Sequence, residues 1–275
     1  MSKNDLVKAI SKILDFDKLT DISTDFEDGD LHELDKKHSK LDQKLVVHHN
    51  PRSMEAEHFR FLKTKIEHYF GDDFTSPKIG RIILITGATL GAGKTTCALN
   101  LAMAFAKAYG SQILFLDADC RHLASQKNLG LGEEVLPGLT DVLIHQQRVG
   151  SLLINTGLSN LLYLPSGDFS EEFVDRLRSE ELTILLDSLK NRFRYIIIDA
   201  PPVFPMPEPG ILANHCDGVL IVLGAGVDGK DQLTQAIEAL KGTNIMGVIL
   251  NKVRKSSPLK RYGSYGYYNR TSTVE

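Results

Sequence analysis

The sequence predicts an α/β fold of three layers, in which helices cover both faces of a mostly parallel central sheet. Short apolar runs rich in β-branched residues alternate with segments of helical periodicity. Strands that alternate with helices favour parallel pairing through right-handed crossovers. The chain of 275 residues is long enough for one such domain of about 200 residues with additional segments at its ends.

The N-terminal part of the chain is expected to lie outside this domain. Residues 1–14 place apolar side chains at helical spacing and predict a short amphipathic helix that docks on the domain or on a partner. Residues 15–50 show no sustained periodicity, and residues 15–44 carry ten acids against five lysines, which is typical of a linker. The expected division is an arm at 1–50, the domain at 51–255 and a mobile tail at 256–275.

Within the domain, the first helix is expected at residues 54–70, where Phe59, Leu62, Ile66 and Tyr69 fall on one face. The later helices are expected where leucines and other apolar residues recur at helical spacing, and strands are expected in the apolar runs between them. These helices are at 97–106, 139–146, 172–191 and 230–241. The strands are at 82–85, 112–116, 161–165, 195–199, 218–223 and 246–251.

A phosphate-binding loop is predicted between the first strand and the helix after it, which makes the fold one of the P-loop NTPase type. The sequence fits the G-x-x-x-x-G-K-[ST] pattern, although Ala88 stands in place of the first glycine. In such loops backbone N–H groups bind phosphate, the lysine reaches the β- and γ-phosphates, and the threonine hydroxyl ligates Mg²⁺. The alternative is an ordinary strand–helix turn that contains glycines. The predicted nucleotide-binding residues of the loop are Gly87, Ala88, Thr89, Leu90, Gly91, Ala92, Gly93, Lys94, Thr95 and Thr96.

Three acids that follow predicted strands are candidates for the chemistry, because ligands in such folds bind at the carboxyl ends of the strands. Asp199 follows three isoleucines and has the form of an acid that holds the water shell of Mg²⁺. Asp117 and Asp119 leave their strand on the same side, so both could bind Mg²⁺ or accept a proton from an attacking hydroxyl. Strand-end caps are the alternative for these acids. Arg121 could touch phosphate, balance the acids or form a structural ion pair.

The phosphate loop, the segment around Asp117 and Asp119, and the Ile-Ile-Ile-Asp199-Ala-Pro-Pro segment together resemble the bacterial tyrosine kinases of exopolysaccharide synthesis. The resemblance runs from about residue 45 to the C-terminus. It implies an autophosphorylating protein-tyrosine kinase that uses ATP and Mg²⁺. It assigns catalysis to Lys94, Asp117, Asp119 and Asp199, and the Mg²⁺ site to Thr95 with the three acids.

In that family a Glu-x-x-Arg-x-x-Arg helix packs against the site of a neighbouring subunit. Glu57, Arg60 and Lys63 are similar to this motif, with lysine in the last place, which keeps the charge and loses the bidentate fork. The resemblance therefore implies a homo-oligomer, for which a ring is one arrangement. The family also has an aspartate near the position of Glu208, and the prolines around Glu208 predict a loop of a different shape.

The C-terminal tail holds a cluster of tyrosines between basic residues. Four tyrosines lie within seven residues, with glycine and serine between them: Tyr262, Tyr265, Tyr267 and Tyr268. Such a segment is not expected to pack into a hydrophobic core. The resemblance implies that these tyrosines are phosphorylated by a neighbouring copy, since tethering raises their effective concentration. A tail without this role is the alternative.

Composition restricts the partners and the location. A net charge of −3 gives no basic field for nucleic acid. Three separated cysteines argue against a disulfide framework, and the sequence has neither a long apolar run nor the apolar core of a signal peptide. We therefore expect a cytoplasmic protein. The resemblance implies that a separate membrane-anchored polysaccharide co-polymerase activates it and recruits it to the inner face of the plasma membrane, and that a tyrosine phosphatase opposes it.

Three other interpretations remain open from the sequence. A GTPase is disfavoured because Arg254 stands where an Asn251-Lys252-x-Asp motif would end, so Asn251 is placed near adenine by position alone. Partitioning and positioning ATPases carry an additional lysine at the position of Thr89, and its absence favours the kinase. A nucleotide-binding scaffold of the polysaccharide machinery would keep the same nucleotide site as an enzyme.

Overall fold

The computed structural model describes residues 41–71, 80–108, 112–158 and 160–253. All six expected strands are present within these residues. In chain order the elements are α1 (Val46–His49), α2 (Met54–Phe70), β1 (Arg81–Gly87), α3 (Lys94–Ala108), β2 (Ile113–Asp117), α4 (Ala124–Asn128), α5 (Leu139–His145), α6 (Val149–Leu152), β3 (Ile154–Asn155), β4 (Leu161–Leu164), α7 (Glu171–Arg176), α8 (Glu180–Lys190), β5 (Tyr195–Asp199), α9 (Glu208–Ala213), β6 (Gly218–Gly224), α10 (Lys230–Ala239) and β7 (Ile245–Asn251).

The seven strands of the described residues form one sheet in the order β3-β4-β2-β5-β1-β6-β7. Neighbouring strands are parallel throughout, except that the short β3 pairs antiparallel with β4 at one edge. The prediction of a mostly parallel sheet is therefore confirmed. The sequence does not predict β3, because two residues are too few to show an alternating pattern.

The residues of the central strand β1 alternate between two apolar cores. Ile82 and Leu84 belong to the core that contains residues of α5, α7 and α8, whereas Ile83 and Ile85 belong to the core that contains residues of α1, α2 and α3. Helices therefore cover both faces of the sheet, which confirms the three-layer prediction. In the part of the chain that the structure describes, no helix has both the length and the apolar character needed to cross a membrane.

The single helix expected at 172–191 is wrong, because two helices occupy this segment. Helix α7 ends at Arg176, and Ser179 begins α8 by accepting a hydrogen bond from the backbone N–H of Leu182 at 3.4 Å. A serine side chain that caps a new helix competes with continuation of the previous one. Leu177, in the break, is fully buried, so the chain bends without removing its leucine from the core.

Residues 41–50, assigned to the linker from the sequence, differ from that expectation because they pack on the domain. Leu45 and Val47 are buried in the same core as α3. The buried Asn100 of α3 accepts a hydrogen bond from the N–H of Val47 at 3.0 Å and donates one to the carbonyl of Lys44 at 3.0 Å. This segment is too short to show periodicity. The predicted 1–14 helix lies outside the described residues.

Helix α2 has the expected bounds of Met54–Phe70, and its predicted apolar face packs on the core at Phe59, Leu62 and Ile66 but not at Tyr69. Ile66 is buried, whereas Tyr69 is 52% exposed and donates its hydroxyl to Asn244 Oδ1 at 2.7 Å. Lys63 and Glu67 are buried instead, where they form an ion pair of 2.7 Å. The two charges are at positions i and i+4 of the helix, so each neutralises the other. This pair allows burial at a position where the sequence pattern predicts an exposed side chain.

Replacing Asn100 with alanine is expected to lower the free energy of unfolding by about 2 kcal/mol, because the buried N–H of Val47 and the partly buried carbonyl of Lys44 lose their partner. Urea denaturation of the full chain measures this change. Asn214→Ala is the control, since this asparagine makes an exposed hydrogen bond within its own helix end and should change stability by less than about 0.5 kcal/mol. Equal stability of both variants would show that docking of residues 41–50 contributes little.

Candidate active site

The predicted phosphate loop lies between β1 and α3 and requires glycine at two positions. Gly91 and Gly93 have φ angles of +78° and +93°, which side-chain-bearing residues rarely adopt. A Cβ atom on Gly93 would also lie 2.2 Å from Nδ2 of Asn251, so a side chain here would require Asn251 to move. The loop ends where α3 begins at Lys94, which directs the positive end of the helix dipole toward it.

Two residues at the end of β7 hold the carbonyl groups of this loop. Asn251 Nδ2 donates to the carbonyl of Ala92 at 2.9 Å, and Lys252 Nζ donates to the carbonyl of Gly91 at 2.6 Å. Sequence reasoning placed Asn251 near the nucleotide base, and the structure shows it supporting the loop. With these carbonyls engaged from outside, the N–H groups remain as the donors available to phosphate.

A third contact holds the loop from the segment after β6. The Thr89 hydroxyl donates to Oδ1 of Asp228, and Oδ2 of Asp228 accepts the backbone N–H of Gly224 at 2.6 Å. Thr89 is the position where a positioning ATPase would carry lysine. Here a hydroxyl anchored to a carboxylate occupies it, and sequence reasoning did not identify Asp228 because 139 residues separate the two.

The three predicted acids and Lys94 come together at the carboxyl ends of β2 and β5. Asp117 and Asp199 are directly paired residues of these neighbouring parallel strands. Lys94 Nζ donates to Asp119 Oδ2 at 2.8 Å, and all three carboxylates are at most 2% exposed. Burial lowers the pKa of Lys94, but the charges of Asp199, Asp119 and Asp117 outweigh this effect and raise it above its ordinary value. Lys94 is therefore the counter-ion of an acidic cluster.

Asp117 is enclosed by hydrogen-bond donors that sequence reasoning missed. Its carboxylate accepts from the Ser125 hydroxyl, from the Tyr163 hydroxyl at 3.4 Å and from the backbone N–H of Asp119 at 2.9 Å. Burial, together with the charge of Asp199, raises the pKa of Asp117 well above its ordinary value. These contacts hold Asp117 in place and tie it to the turn that carries Asp119.

Asp199 has an unsatisfied oxygen that faces no protein donor. Burial raises the pKa of Asp199 to about 7, against the lowering effects of the Lys94 charge and a hydrogen bond from Thr95. Its Oδ1 atom is buried without a hydrogen-bond partner. A buried orphan carboxylate oxygen beside a threonine hydroxyl suits a hydrated Mg²⁺ ion. Among the described residues, no group of three or more His, Cys, Asp or Glu side chains could hold a metal by itself.

Two residues that follow Asp119, Arg121 and His122, form contacts at the edge of the acidic cluster. His122 Nδ1 lies 3.2 Å from Asp119 Oδ1, a contact that sequence reasoning missed. Arg121 Nη2 donates to Oε1 of the buried Glu208 at 2.9 Å, and its guanidinium group lies 4.0 Å from the centre of the Phe169 ring. Of the three roles considered for Arg121, the structure contains the ion pair.

The residues predicted to contact a neighbouring subunit lie on α2, apart from this acidic cluster. The Arg60 guanidinium donates to Glu57 and to the carbonyl of Pro51, and both charged side chains are exposed. Lys63 is buried against Glu67, so only the first two residues of the motif have exposed side chains. The four tail tyrosines lie outside the described residues.

Comparisons with known proteins agree with this arrangement. Residues 80–248 match the AAA domain family. The chain is 31% identical over 216 residues to the tyrosine-protein kinase CpsD of Streptococcus agalactiae, and the match covers 78% of this chain and 90% of that protein. This chain belongs to the bacterial tyrosine-protein kinases. Another member, the tyrosine-protein kinase YwqD of Bacillus subtilis, is 29% identical over 232 residues, which cover 84% of this chain and 93% of YwqD.

Solved structures place this tyrosine-protein kinase in the same fold. The chimerical protein CapA2B2 superposes with a TM-score of 0.69 at 27% identity, and the match covers 79% of this chain and 94% of that one. The kinase domain of the Escherichia coli tyrosine kinase ETK superposes with a TM-score of 0.70 at 24% identity, and the match covers 78% of this chain and 81% of that one. At this low identity, the match is evidence for a shared fold only. The cell division ATPase MinD of Pyrococcus furiosus is more distant, with a TM-score of 0.53 over 62% of this chain and 71% of its own. The family and fold predicted from the sequence are confirmed.

Proposed function

We propose that this kinase transfers the γ-phosphate of ATP to tyrosines of its own C-terminal tail on a neighbouring copy. The observation that supports this most directly is the buried ion pair between Lys94 and Asp119 at the carboxyl ends of the strands. It places a phosphate-binding ammonium group beside a carboxylate that can accept the proton of a hydroxyl. The tail tyrosines supply such hydroxyls, and tethering raises their local concentration.

The chain's own residues suggest distinct roles for the two acids that follow β2. ATP phosphates compete with Asp119 for the Lys94 ammonium group, and the released carboxylate of Asp119 accepts the proton of the attacking tyrosine. The tyrosine oxygen bonds to the γ-phosphorus, the bond to the bridging oxygen breaks, and ADP leaves. Asp117 keeps its hydrogen bonds to Ser125 and to the N–H of Asp119, and therefore acts as a positioning residue.

Mg²⁺ fits this site as part of a metal–nucleotide complex. The ion uses one or two carboxylates together with substrate phosphates and keeps several waters. Thr95 and Asp199 would hold it, because Oδ1 of Asp199 is buried without a partner. When bound, Mg²⁺ supplies positive charge to the phosphate oxygens. A role for Asp117 and Asp119 as additional metal ligands stays a prediction.

A positioning ATPase is the second candidate, because MinD shares the fold. The additional lysine of that class would occupy position 89, where Thr89 is bonded to Asp228. We therefore favour the kinase. A scaffold without catalysis would keep the same loop, and only activity separates it from an enzyme.

The test is mass spectrometry of the purified full chain after incubation with ATP and Mg²⁺. We expect phosphate on at least one of the four tail tyrosines, and replacing all four with phenylalanine should remove most of the incorporated label. Tyr69→Phe is the control, since Tyr69 is an exposed tyrosine on α2 and its loss should leave labelling unchanged. Free phosphate without phosphotyrosine would support an ATPase, and neither product would support a scaffold. Full labelling of the fourfold variant would overturn the tail as substrate.

We also infer that the kinase acts in exopolysaccharide synthesis with a separate membrane-anchored co-polymerase, as a homo-oligomer that a tyrosine phosphatase resets. Membership of the family supports this placement, and Glu57 and Arg60 offer exposed charges for contact between copies. Recruitment to the inner face of the plasma membrane depends on the partner. Sedimentation of the full chain with membranes that contain or lack the co-polymerase tests it, and equal sedimentation with both would contradict the inference.

A further inference from the structure

Arg121 and Phe169 form an exposed stack beside the proposed proton acceptor. Arg121 follows Asp119 by two residues, which places the two backbones within about 7 Å of each other. The guanidinium group lies 4.0 Å from the centre of the Phe169 ring. The Arg121 side chain is 30% exposed to solvent, and Phe169 is 37% exposed. The stack therefore lies at the surface, close to the acidic cluster.

Packing of the core does not explain this pair. Phe169 is among the exposed large apolar residues and belongs to neither of the two buried cores. Glu208, in contrast, is only 1% exposed, and its Oε1 atom accepts from Arg121 at 2.9 Å. Burying a carboxylate costs free energy that one ion pair rarely recovers. The contact instead fixes the orientation of the guanidinium plane, which a flexible surface arginine would not keep.

We propose that the free surface of Arg121, with the edge of Phe169, is the subsite that binds the aromatic ring of the acceptor tyrosine. This inference rests on the proposed function. A planar guanidinium group stacks on aromatic faces, and a ring held there contributes cation–π attraction. Because Asp119 is two residues away, a tyrosine in this subsite brings its hydroxyl toward the carboxylate that accepts the proton.

The contacts of Arg121 also favour a role in binding the acceptor over a role in binding phosphate. Arg121 is held by Glu208 and lies over Phe169, whereas Lys94 begins the helix that follows the phosphate loop, so the charge that ATP needs is assigned to Lys94 and the loop N–H groups. Arg121 is then a specificity residue for the acceptor, and Glu208 is a positioning residue that acts through it. Loss of the stack should weaken binding of the tyrosine substrate and leave binding of ATP intact.

The test uses the full chain with its four tail tyrosines replaced by phenylalanine, and a peptide of residues 258–272 as the acceptor. We expect Phe169→Leu and Arg121→Lys to raise the KM for the peptide about tenfold, with the Kd for ATP changed less than about twofold. Phe169→Tyr keeps the ring and should restore the KM. Arg176→Lys is the matched control, because Arg176 forms an exposed ion pair of 2.8 Å with Glu172 and should change neither constant.

The outcomes separate the subsite from the function on which it rests. An equal loss of ATP affinity in Arg121→Lys would assign Arg121 to the nucleotide and overturn the subsite. An unchanged KM for the peptide in both variants would overturn it as well. A parent protein that binds ATP and transfers no phosphate to the peptide would overturn the proposed function and the subsite with it.

Discussion

Methionine in place of Lys94 is expected to abolish phosphate transfer to tyrosine, with a loss on the order of 100-fold or more. Lys94 is only 9% exposed, and its ammonium group lies 2.8 Å from Asp119. Methionine fills a similar volume but offers no charge to the γ-phosphate, so positioning and charge stabilisation are lost together. Phosphotyrosine measured by mass spectrometry, with ATP binding measured separately, checks both effects.

The same substitution should destabilise the nucleotide-free protein in a pH-dependent way. Without Lys94, the buried carboxylates lack their counter-charge, and the pKa of Asp199, already raised to about 7, should rise further. A carboxyl whose pKa is higher in the folded state binds more protons there than in the unfolded chain, so stability falls as pH rises through this range. The stability difference from wild type should therefore be larger at about pH 8 than at about pH 6.

Lys190→Met is the matched control for Lys94→Met. Lys190 also pairs with a half-buried carboxylate, Asp217, at 3.1 Å, but this pair lies at the amino end of β6. Its loss should affect stability modestly and leave phosphate transfer unchanged. Activity of Lys94→Met within about tenfold of wild type would contradict the role assigned to Lys94.

The site could be predicted from the sequence where it depends on local pattern. The six predicted strands are short, mainly apolar runs, and the phosphate loop is a contiguous motif, so both can be recognised without knowing which segments pack against them. The sequence also predicts that Asp117 and Asp199 lie close together, because the carboxyl ends of parallel strands share one edge of a sheet. The structure pairs them residue for residue.

Contacts between distant segments could not be predicted in the same way. Tyr163 reaches Asp117 across 46 positions, and Asp228 reaches Thr89 across 139. Neither residue belongs to a motif, so only the folded chain identifies it. The burial of Lys63 could not be predicted for a different reason: its charge suggests an exposed side chain, and its partner Glu67 permits burial.

Alanine in place of Gly93 is expected to reduce ATP affinity on the order of 100-fold, for two separate reasons. The backbone has a φ of +93°, which costs an L-residue about 1–2 kcal/mol. The added Cβ would also lie 2.2 Å from Asn251 Nδ2 and displace the side chain that holds the carbonyl of Ala92. Titration with a fluorescent ATP analogue measures the change.

Two further glycines separate these causes. Gly91 has a φ of +78° and no atom within 4 Å of its Cβ position, so Gly91→Ala brings strain without a collision and should cost about tenfold or less. Gly242, with a φ of +90° and open space, lies in the turn before β7 at the opposite end of the sheet. Gly242→Ala should change stability only. Equal losses of affinity for Gly91→Ala and Gly93→Ala would contradict the collision.

The double variant Gly93→Ala with Asn251→Ala tests whether β7 sets the shape of the loop. Removing Asn251 alone breaks its hydrogen bond to Ala92 and should weaken ATP binding about tenfold. If the collision dominates in Gly93→Ala, the second substitution removes the colliding atom, so the double variant should bind ATP no worse than Gly93→Ala alone. Losses that simply add would show that the two residues act independently. Glycine would then be required at position 93 only because of its positive φ angle, and the hydrogen bond from Asn251 to Ala92 would not determine the loop conformation that binds phosphate.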